Sequence, residues 1–474
     1  MKDIEALSQS IEAAKAPFIE LSDCVWETPE IRYQEKNSVE AHIALTEKED
    51  FRVTRNIGDI PTAFIGEAGS GSPVIAFMGE FDALAGLSQQ AGTAEQIPVE
   101  TGGHGHGCGH HLLGSASLLA AKAARDYLAK NNLPGTVRYY GCPAEEGGSG
   151  KVFMARAGAF DDVDAAVSWH PGSFNAVLNA KSLSNVQVYF RFKGRASHAG
   201  GAPHLGRSAL DAVELMSVGV QYMREHMPDA ARVHAAIINT GGISPNVVQA
   251  DAEVLYLIRS PEIEDVWPLF ERVKKIATGA SLMTETEVEW EIDRACTSLL
   301  PNHVLAEAMD ANMKKIGAPA FDDLDRAYAR KIQGTLTDED VKFAYRSRGL
   351  PVELDKPIHD GIVSYEGAIE QSSGSTDVGD ISWMVPTMQC WTACNAIGTP
   401  GHSWQMVAQG KSPIAHKGMV LAAKTMAALG IDLFTDPDLL ARATVEFKER
   451  VGEEGYTCPI PDDVLAPCHR GKAA

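Results

Sequence analysis

The chain has 474 residues, of which 45% are hydrophobic and 22% are charged. This length exceeds what a single hydrophobic core usually serves, so we expect two domains. Asp and Glu outnumber Lys and Arg by 63 to 42, which gives a formal net charge of −21. A surface of that sign argues against nucleic acid and anionic membranes as partners.

The sequence shows no targeting or membrane segment. The N-terminal helix pattern is charged and lacks the apolar core of a signal peptide. No run approaches the roughly 18 apolar residues of a membrane span. The eight cysteines are scattered along the chain, as in a cytoplasmic protein with free thiols, and we interpret Cys390 and Cys394 as strand residues.

Hydrophobic periodicity predicts the elements in chain order. Residues 4–25 form an amphipathic helix that Pro17 interrupts. A second helix covers 38–47, and the entirely apolar run at 74–78 is typical of a central strand. Later elements are a helix at 111–130 and strands at 136–142, 164–169 and 388–397.

Each of four predicted strands ends where acidic or imidazole side chains begin. Ligands of open α/β sheets bind beyond the carboxyl ends of the strands, so we expect these side chains to converge at one edge. In chain order they are Glu80 and Asp82, then Glu145 and Glu146, then His170, and finally His402.

The stretch 103–111 reads Gly-His-Gly-His-Gly-Cys-Gly-His-His. Imidazole and thiolate ligands suit borderline-soft transition metals, and glycine lets the backbone turn several ligands toward one point. An alternative interpretation is a flexible polar loop that binds metal adventitiously.

The candidate metal ligands are too many for one ion. A tetrahedral zinc takes four ligands, whereas this set suits two ions about 3.5–4 Å apart with Cys108 as the bridge. In the adjacent pair Glu145–Glu146, one carboxylate binds metal while the other accepts a proton from water. The candidates are Cys108, His110, Glu145, Glu146, His170 and His402.

Residues 184–297 follow a different pattern. Strand, helix, strand, strand, helix and strand succeed one another, which is the ferredoxin-like order. We therefore predict an α/β fold whose catalytic domain comprises 1–183 and 298–474, with this α+β domain inserted between them. Within the second part, 319–375 is polar and weakly periodic, and we expect loops or peripheral helices there.

A set of motifs occurs in a familiar order: FDAL at 81–84, GCGH at 107–110, EEGG at 145–148, WHP at 169–171, SHA at 197–199 and GH at 401–402. This order resembles the dinuclear metallo-amidohydrolase and aminoacylase family, in the amidohydrolase branch where cysteine replaces a bridging aspartate. The resemblance covers nearly the whole chain. It implies a metallo-exopeptidase-like catalytic domain with a central mixed sheet, and an inserted domain that acts as lid and dimerisation domain.

The resemblance also implies the ligands of two divalent ions per subunit. One ion would be held by Cys108, His110 and His170, and the other by Cys108, Glu146 and His402. Mn²⁺ and Zn²⁺ both suit such mixed ligands.

Catalytic and binding roles follow from the same resemblance. Glu145 would be the general base, and Asp82 would orient a ligand imidazole. His198 of the inserted domain would reach a neighbouring subunit's active site and stabilise the developing oxyanion. Asn246 and Arg259, expected on the middle strands of that domain, would bind the substrate carboxylate.

The chain departs from the family motif at two positions. His111 follows His110 where the motif usually has aspartate, and Glu80 stands where many relatives have a ligand histidine. His104 and His106 therefore stay open between flexible-loop residues and ligands.

The function implied is hydrolysis of an amide between an aromatic acyl group and glutamate or a similar amino acid. The alternatives are a broader N-acyl-amino-acid or dipeptide hydrolase, and a non-catalytic partner subunit that keeps its metals for structure. We expect a homodimer, or a heterodimer with a homologous chain, formed through the inserted domain.

Overall fold

The computed structural model describes residues 3–372 and 374–469, which form two compact units. The first comprises the chain up to Ala180, Leu300–Glu370 and Ile381–Tyr456. The second comprises Lys181–Leu299, Gln371–Asp380 and the chain from Thr457. The domain boundaries inferred from the sequence, at 183/184 and 297/298, stay predictions.

The elements are numbered in chain order. The strands are β1 (Arg52–Arg55), β2 (Phe64–Ser70), β3 (Val74–Glu80), β4 (Gly135–Cys142), β5 (Ala165–Gly172), β6 (Ala176–Leu178), β7 (Ala180–Lys181), β8 (Ser184–Lys193), β9 (Arg232–Asn239), β10 (Asp251–Ser260), β11 (Glu287–Cys296), β12 (Glu370–Gln371) and β13 (Thr387–Ala393). The helices are α1 (Ile4–Ala14), α2 (Ala16–Glu27), α3 (Lys36–Lys48), α4 (His110–Asn131), α5 (Glu145–Gly148), α6 (Gly150–Arg156), α7 (Ala209–Arg224), α8 (Ile263–Thr284), α9 (His303–Ile316), α10 (Asp323–Gln333), α11 (Asp338–Arg346), α12 (Val378–Ser382), α13 (Trp404–Gln409), α14 (Pro413–Thr435) and α15 (Pro437–Val451).

The first unit is built on a seven-stranded mixed sheet in the order β1-β2-β4-β3-β5-β13-β6. Strands β4, β3, β5 and β13 run parallel, and the outer strands pair antiparallel. This confirms the predicted α/β class with a central mixed sheet. Because parallel strands end at the same edge, the loops after β3, β4, β5 and β13 meet there.

Apolar helices cover the sheet. In β3 every residue after Val74 is buried, as expected for a central strand, and α4 packs against both β3 and α14. Helix α14 is long and apolar enough, by length and composition alone, to cross a membrane. However, 83% of its most apolar window is buried, and core helices of this kind pass the same test, so it is weak evidence for a membrane span.

The second unit contains a four-stranded antiparallel sheet in the order β11-β8-β10-β9. With α7 after β8 and α8 after β10, this is the ferredoxin-like arrangement that the sequence predicts. Alternate residues of β8 point to opposite faces. Val186, Val188 and Phe190 are fully buried on one face, and Phe190 contacts Phe270 of α8.

Three local predictions need correction. The strand expected over 388–397 ends at Ala393, so Cys394 lies just beyond it. The first helix ends at Ala14 and a second begins at Ala16, so the break precedes Pro17, which lies in the first turn of α2, where its missing N–H costs nothing. The strand expected from 246 begins only at Asp251, and Asn246 lies in the preceding loop. Pro245 cannot donate to a sheet ladder, and a turn joins Val247 N to Ser244 O instead.

Gly418 of α14 and Gly279 of α8 give a matched test of how tightly each helix is packed. A Cβ at Gly418 would lie 2.5 Å from both Ala393 O and Cys394 Sγ, whereas one at Gly279 of α8 meets nothing within 4 Å. We expect Gly418→Ala to lower the free energy of unfolding by about 1–3 kcal/mol through overpacking, and Gly279→Ala to raise it by about 0.4–1 kcal/mol. Urea denaturation of both variants checks this, and a stabilised Gly418→Ala protein would contradict it.

Candidate metal centre and active site

Close contacts with the preceding segment, at Leu84 and Leu87, hold the glycine- and histidine-rich loop in place. Gly105 and Leu84 exchange two backbone hydrogen bonds of 3.0 Å. A Cβ at Gly105 would approach Leu87 O to 2.2 Å, and one at Gly107 would approach the Leu87 side chain to 2.6 Å. Gly109, with φ +79°, turns the chain into α4. The glycines therefore serve close approach and a left-handed turn, and the structure does not support a flexible loop at these positions.

One group of metal-binding side chains joins this loop to β5. Donor atoms of Cys108, His110 and His170 all lie within 4.8 Å of one another. The Sγ of Cys108 is 3.3 Å from Nε2 of His170. Two such ligands on one tetrahedral zinc would stand about 3.5 Å apart, given Zn–S and Zn–N distances of about 2.3 and 2.0 Å.

A second group shares the same sulfur. Donor atoms of Cys108, Glu146 and His402 also lie within 4.8 Å of one another, and Nε2 of His402 is 3.1 Å from Oε1 of Glu146. The backbone of His402 has φ +56° and donates to Gly107 O at 2.8 Å, which fixes this residue beside the loop. Strain of this kind concentrates at functional sites.

The donor atoms fit two divalent ions. Nε2 of His110 is buried and lies 3.2 Å from Oε2 of Glu80 without a well-formed hydrogen bond to any described residue, and it faces the other donor atoms of its group. The two groups are the sets that the sequence resemblance implies, and they share one thiol, as a bridge requires. Metal binding by these residues stays a prediction.

Asp82 fixes two members of the site at once. Nδ1 of His110 donates to Oδ1 of Asp82 at 2.9 Å, and the backbone N–H of Glu146 donates to Oδ2 at 2.8 Å. Because Asp82 takes up Nδ1, the imidazole presents Nε2 to the other donors. This is the orienting contact expected of a carboxylate behind a metal ligand.

Glu145 belongs to a third group, with Glu80 and His110. Its Oε2 is 4.0 Å from Nε2 of His110, and it is in neither group that contains Cys108. A carboxylate close to His110 but outside both Cys108 groups is compatible with the proton-transfer role that the sequence predicts, and that role stays a prediction.

Sequence reasoning missed the partner of Glu80. Lys151 of α6 is fully buried, and its Nζ lies 2.5 Å from Oε1 of Glu80. Burial would raise the pKa of Glu80, but the charges of Lys151 and His110 outweigh it and lower that pKa. Glu80 therefore stays ionised beside His110, and a fixed ion pair occupies the position where many relatives have a ligand histidine.

A second missed residue, Glu35, supports the Glu145–Glu146 turn. Its Oε1 accepts hydrogen bonds from the backbone N–H groups of Tyr33 and Ala144, at 2.8 and 2.9 Å. Ala144 has φ +59°, an uncommon conformation for a residue with a Cβ. The buried carboxyl group of Glu35 holds Ala144 in this conformation and so fixes the start of the turn that carries Glu145 and Glu146.

The charges of the second group stabilise one another. Burial would raise the pKa of Glu146, but the hydrogen bond from His402 and the charge of His110 hold it at about 2. The hydrogen bond to Glu146 raises the pKa of His402 in turn. Burial and the charge of Glu146 raise the pKa of the Cys108 thiol, and a divalent cation is the usual means of deprotonating a thiol in such a place.

His106 and His111, whose roles the sequence leaves open, are buried packing residues. Nε2 of His106 donates to Val25 O and Nε2 of His111 to Gly410 O, each at 3.0 Å. Burial lowers both pKa values, to about 3 for His106. Within the described residues neither belongs to a group of metal-binding side chains, so the flexible-loop interpretation of His106 is wrong.

The inserted unit carries the other predicted residues. His198 is exposed, and its Nδ1 accepts from the N–H groups of Gly200 and Gly201 at 3.2 and 2.9 Å. Ala199 N donates to Asn246 O at 2.9 Å, so the loops of His198 and Asn246 lie side by side. Arg259 lies on β10, an inner strand, and its buried Nε makes no hydrogen bond with any described residue.

A cavity of about 220 Å³ opens beside Cys108 and His170 within the first unit. Phe174 and Trp391 contribute aromatic surface to it, and the guanidinium of Arg348 stacks 3.6 Å from the centre of the Trp391 ring. The volume and lining suit a small aromatic group next to the candidate metal centre.

The sequence and the fold were compared with those of known proteins. The sequence pattern of peptidase family M20/M25/M40 matches residues 76–405. One subunit of the p-aminobenzoyl-glutamate hydrolase of Escherichia coli (strain K12) is 49% identical, over 97% of each chain. The Xaa-Arg dipeptidase of Mus musculus is 28% identical over 94% of this chain and 92% of its own. The crystal structure of an aminobenzoyl-glutamate utilization protein from Klebsiella pneumoniae superposes with a TM-score of 0.59, at 17% identity, over 90% of this chain and 98% of that one.

Glu35 makes stability depend on pH. Burial, with the charge of Asp82 beside it, raises its pKa to about 8, above the value of about 4.3 in an unfolded chain. Its stabilising contribution is therefore complete below about pH 4 and is lost as pH rises through about 8. We expect Glu35→Gln, which keeps the accepting oxygen, to remove this part of the loss.

Urea denaturation between about pH 5 and 8 compares wild type, Glu35→Gln and the exposed control Glu40→Gln. Unfolding free energies that fall equally steeply in all three proteins would contradict the assignment.

Proposed function

Because this chain belongs to peptidase family M20/M25/M40, we propose that it hydrolyses the amide bond of an N-acyl-amino acid, with p-aminobenzoyl-glutamate giving p-aminobenzoate and glutamate. The observation that carries the proposal is the pair of donor groups that share Cys108. The name of the Escherichia coli relative, 49% identical over 97% of each chain, supports the choice of substrate. We also propose a cytoplasmic location.

The side chains that converge on Cys108 would hold two divalent ions, Mn²⁺ or Zn²⁺. Cys108, His110 and His170 would bind one ion, and Cys108, Glu146 and His402 would bind the other. Such a pair supplies Lewis acidity and lowers the pKa of the attacking water. The mixture of sulfur, nitrogen and oxygen donors suits either metal.

Glu145 is the general base. Its Oε2 lies 4.0 Å from Nε2 of His110, and it belongs to neither group that contains Cys108, which supports a role in proton transfer. It takes the proton of the attacking water and returns it to the nitrogen of the departing amino acid. Asp82 acts through His110 and the Glu146 backbone, and so positions the ligands without touching the substrate.

His198 stabilises the oxyanion that forms on the scissile carbonyl. Its Nδ1 accepts two backbone N–H groups, so in the neutral ring the proton resides on Nε2. That N–H is exposed and able to donate to an oxyanion. We propose that it does so in the active site of a neighbouring subunit.

The inserted domain provides the surface for that subunit. Strand β9 is an edge of its sheet, and Ile237 and Ile238 on it are 49% and 52% exposed. On α7, Val218 and Tyr222 are 53% and 77% exposed. An apolar edge strand beside an apolar helix supports dimerisation, with a second copy or with a homologous chain.

The two ends of the substrate have separate positions. The aromatic acyl group lies against Trp391 and Phe174 in the cavity beside Cys108. Asn246 and Arg259 bind the α-carboxylate, and the buried Nε of Arg259, without a hydrogen bond among the described residues, supports this assignment.

Dipeptide hydrolysis is the second candidate function. The mouse Xaa-Arg dipeptidase aligns over 94% of this chain, and the same base and ligands would cleave a peptide bond. A non-catalytic partner subunit is the third. The retained Glu145 argues against it, because a purely structural metal site needs no base.

Glu145→Gln tests the reaction. We expect hydrolysis of p-aminobenzoyl-glutamate to fall by about 10²–10⁴-fold, the usual contribution of a general base, with both metal ions retained. Glu146→Gln is the matched control, since loss of a ligand should lower the metal content as well. Chromatography of the products and metal analysis of each protein give the two readouts. Full turnover by Glu145→Gln would overturn the base assignment.

Mixed dimers test the contribution of His198. Neither His198→Ala nor Glu145→Gln should be active alone. A dimer of one of each keeps one site with Glu145 and a partner's His198, so we expect activity to return at one site of the two. Two affinity tags allow purification of verified mixed dimers. If these dimers regain no activity, His198 does not act across the interface.

A further inference from the structure

We propose that Arg348 determines which acyl group the cavity beside Cys108 accepts, because its guanidinium forms a flat surface on which an aromatic acyl ring stacks. This role rests on the proposed function and concerns the acyl side of the scissile bond. Arg348 lies outside every motif that carries the family resemblance, in the stretch 319–375 for which the sequence predicts only loops or peripheral helices.

Helix α11, which precedes Arg348, is packed tightly against the segment that follows β13. A Cβ at Gly398, where φ is +93°, would lie 2.9 Å from Cγ2 and 3.0 Å from Cα of Val341, so the helix approaches as closely as glycine allows. Val341 and Tyr345 are buried in one cluster with Phe174. The rings of Tyr345 and Phe174 meet edge to face, with centroids 5.4 Å apart. These contacts hold α11 beside the cavity.

The turn at the end of α11 places Arg348 in the cavity wall. The backbone N–H of Arg348 donates to Tyr345 O at 3.0 Å, which closes this turn. Three residues from the end of the helix and the turn line the cavity, namely Ala344, Ser347 and Arg348. Cys108 and His170 line the same cavity, so the position of Arg348 is fixed relative to the candidate metal centre.

The guanidinium of Arg348 stacks on an aromatic ring of this cavity. Its Cζ lies 3.6 Å from the centre of the Trp391 ring. On the sheet, Trp391 of β13 stands opposite the candidate ligand His170 of β5, and their ring centroids are 6.4 Å apart. The stack of Arg348 on Trp391 therefore lies directly beside the candidate metal centre.

A guanidinium that stacks on one ring can receive a second ring on its other face. Its N–H donors lie in the plane of the group, so hydrogen bonds and ion pairs at its edge are compatible with stacking on its faces. Attraction between the cation and the face of a ring strengthens the contact. An aromatic acyl group in the cavity extends the column formed by the indole and the guanidinium, whereas a puckered aliphatic ring of similar size cannot lie flat on it.

The test compares benzoyl-L-glutamate with cyclohexanecarbonyl-L-glutamate, whose acyl rings differ in being flat or puckered. Calorimetry measures binding of each compound to the full-length, metal-loaded Glu145→Gln protein, in which hydrolysis is slowed. We expect the benzoyl compound to bind about 3- to 30-fold more tightly, the range that a cation–π contact supplies. Adding Arg348→Met, which keeps the length of the side chain without its plane or charge, should bring this ratio close to one.

Further variants separate stacking from charge and from folding. Arg348→Lys keeps the charge without the plane and should lower the ratio as well. Arg346→Gln removes the same charge from an exposed side chain two residues away, which donates to Glu339 at 2.9 Å, and should leave the ratio unchanged.

Several results would overturn the proposal. A ratio that persists in Arg348→Met or in Arg348→Lys would show that the flat guanidinium is not what the acyl ring contacts. Parallel loss of both affinities would make Arg348 a structural residue, and loss of the ratio in Arg346→Gln would make the effect unspecific. A parent protein that binds neither compound, or that does not prefer the benzoyl compound, would contradict it equally.

Hydrolysis by wild type separates this role from the proposed function. If wild type cleaves p-aminobenzoyl-glutamate while Arg348→Met leaves the binding ratio unchanged, the stacking surface is wrong and the amidohydrolase function stands. If the ratio depends on Arg348 but wild type cleaves none of these N-acyl-glutamates, the proposed function fails and the acyl-binding surface stands.

Discussion

The carboxylate of Asp82 is the contact on which the candidate centre depends. One oxygen holds the imidazole of His110 and the other holds the backbone of Glu146, so a single buried side chain after β3 aligns a ligand from α4 with one from the turn after β4. The parallel strands make this possible, because their carboxyl ends meet at one edge. Glu35 holds the turn that begins at Ala144, and the ion pair between Glu80 and Lys151 links α6 to the end of β3.

The two units carry different kinds of predicted site residues. The first unit gathers the candidate ligands at a sheet edge, where the segments that follow the parallel strands bring distant parts of the chain into contact. The second unit carries Arg259 on an inner strand of its sheet and His198 in an exposed loop. In the proposed function, the groups that perform the chemistry and those that bind the amino acid lie on different units, so the preferred substrate can change while the centre stays the same.

The sequence predicted the ligand groups because their signal is local. An apolar run followed at once by an acid or a histidine can be read without knowing the fold, and the motif order supplied the pairing of ligands. Lys151 and Glu35 were missed because each lies within or just before a helix, in no motif, and acts only through contacts with distant chain. His106 and His111 resemble ligands in sequence, and only burial and their backbone partners identify them as packing residues.

The buried Glu80–Lys151 pair limits which substitutions are tolerated at these two positions. Replacing Glu80 by histidine would remove the carboxylate paired with the buried Lys151 ammonium, and replacing Lys151 first would remove the cation paired with Glu80; either step costs about 3–5 kcal/mol. The two positions are thus expected to change together or not at all, which makes an intermediate sequence hard to reach and tends to keep lineages with and without this pair apart.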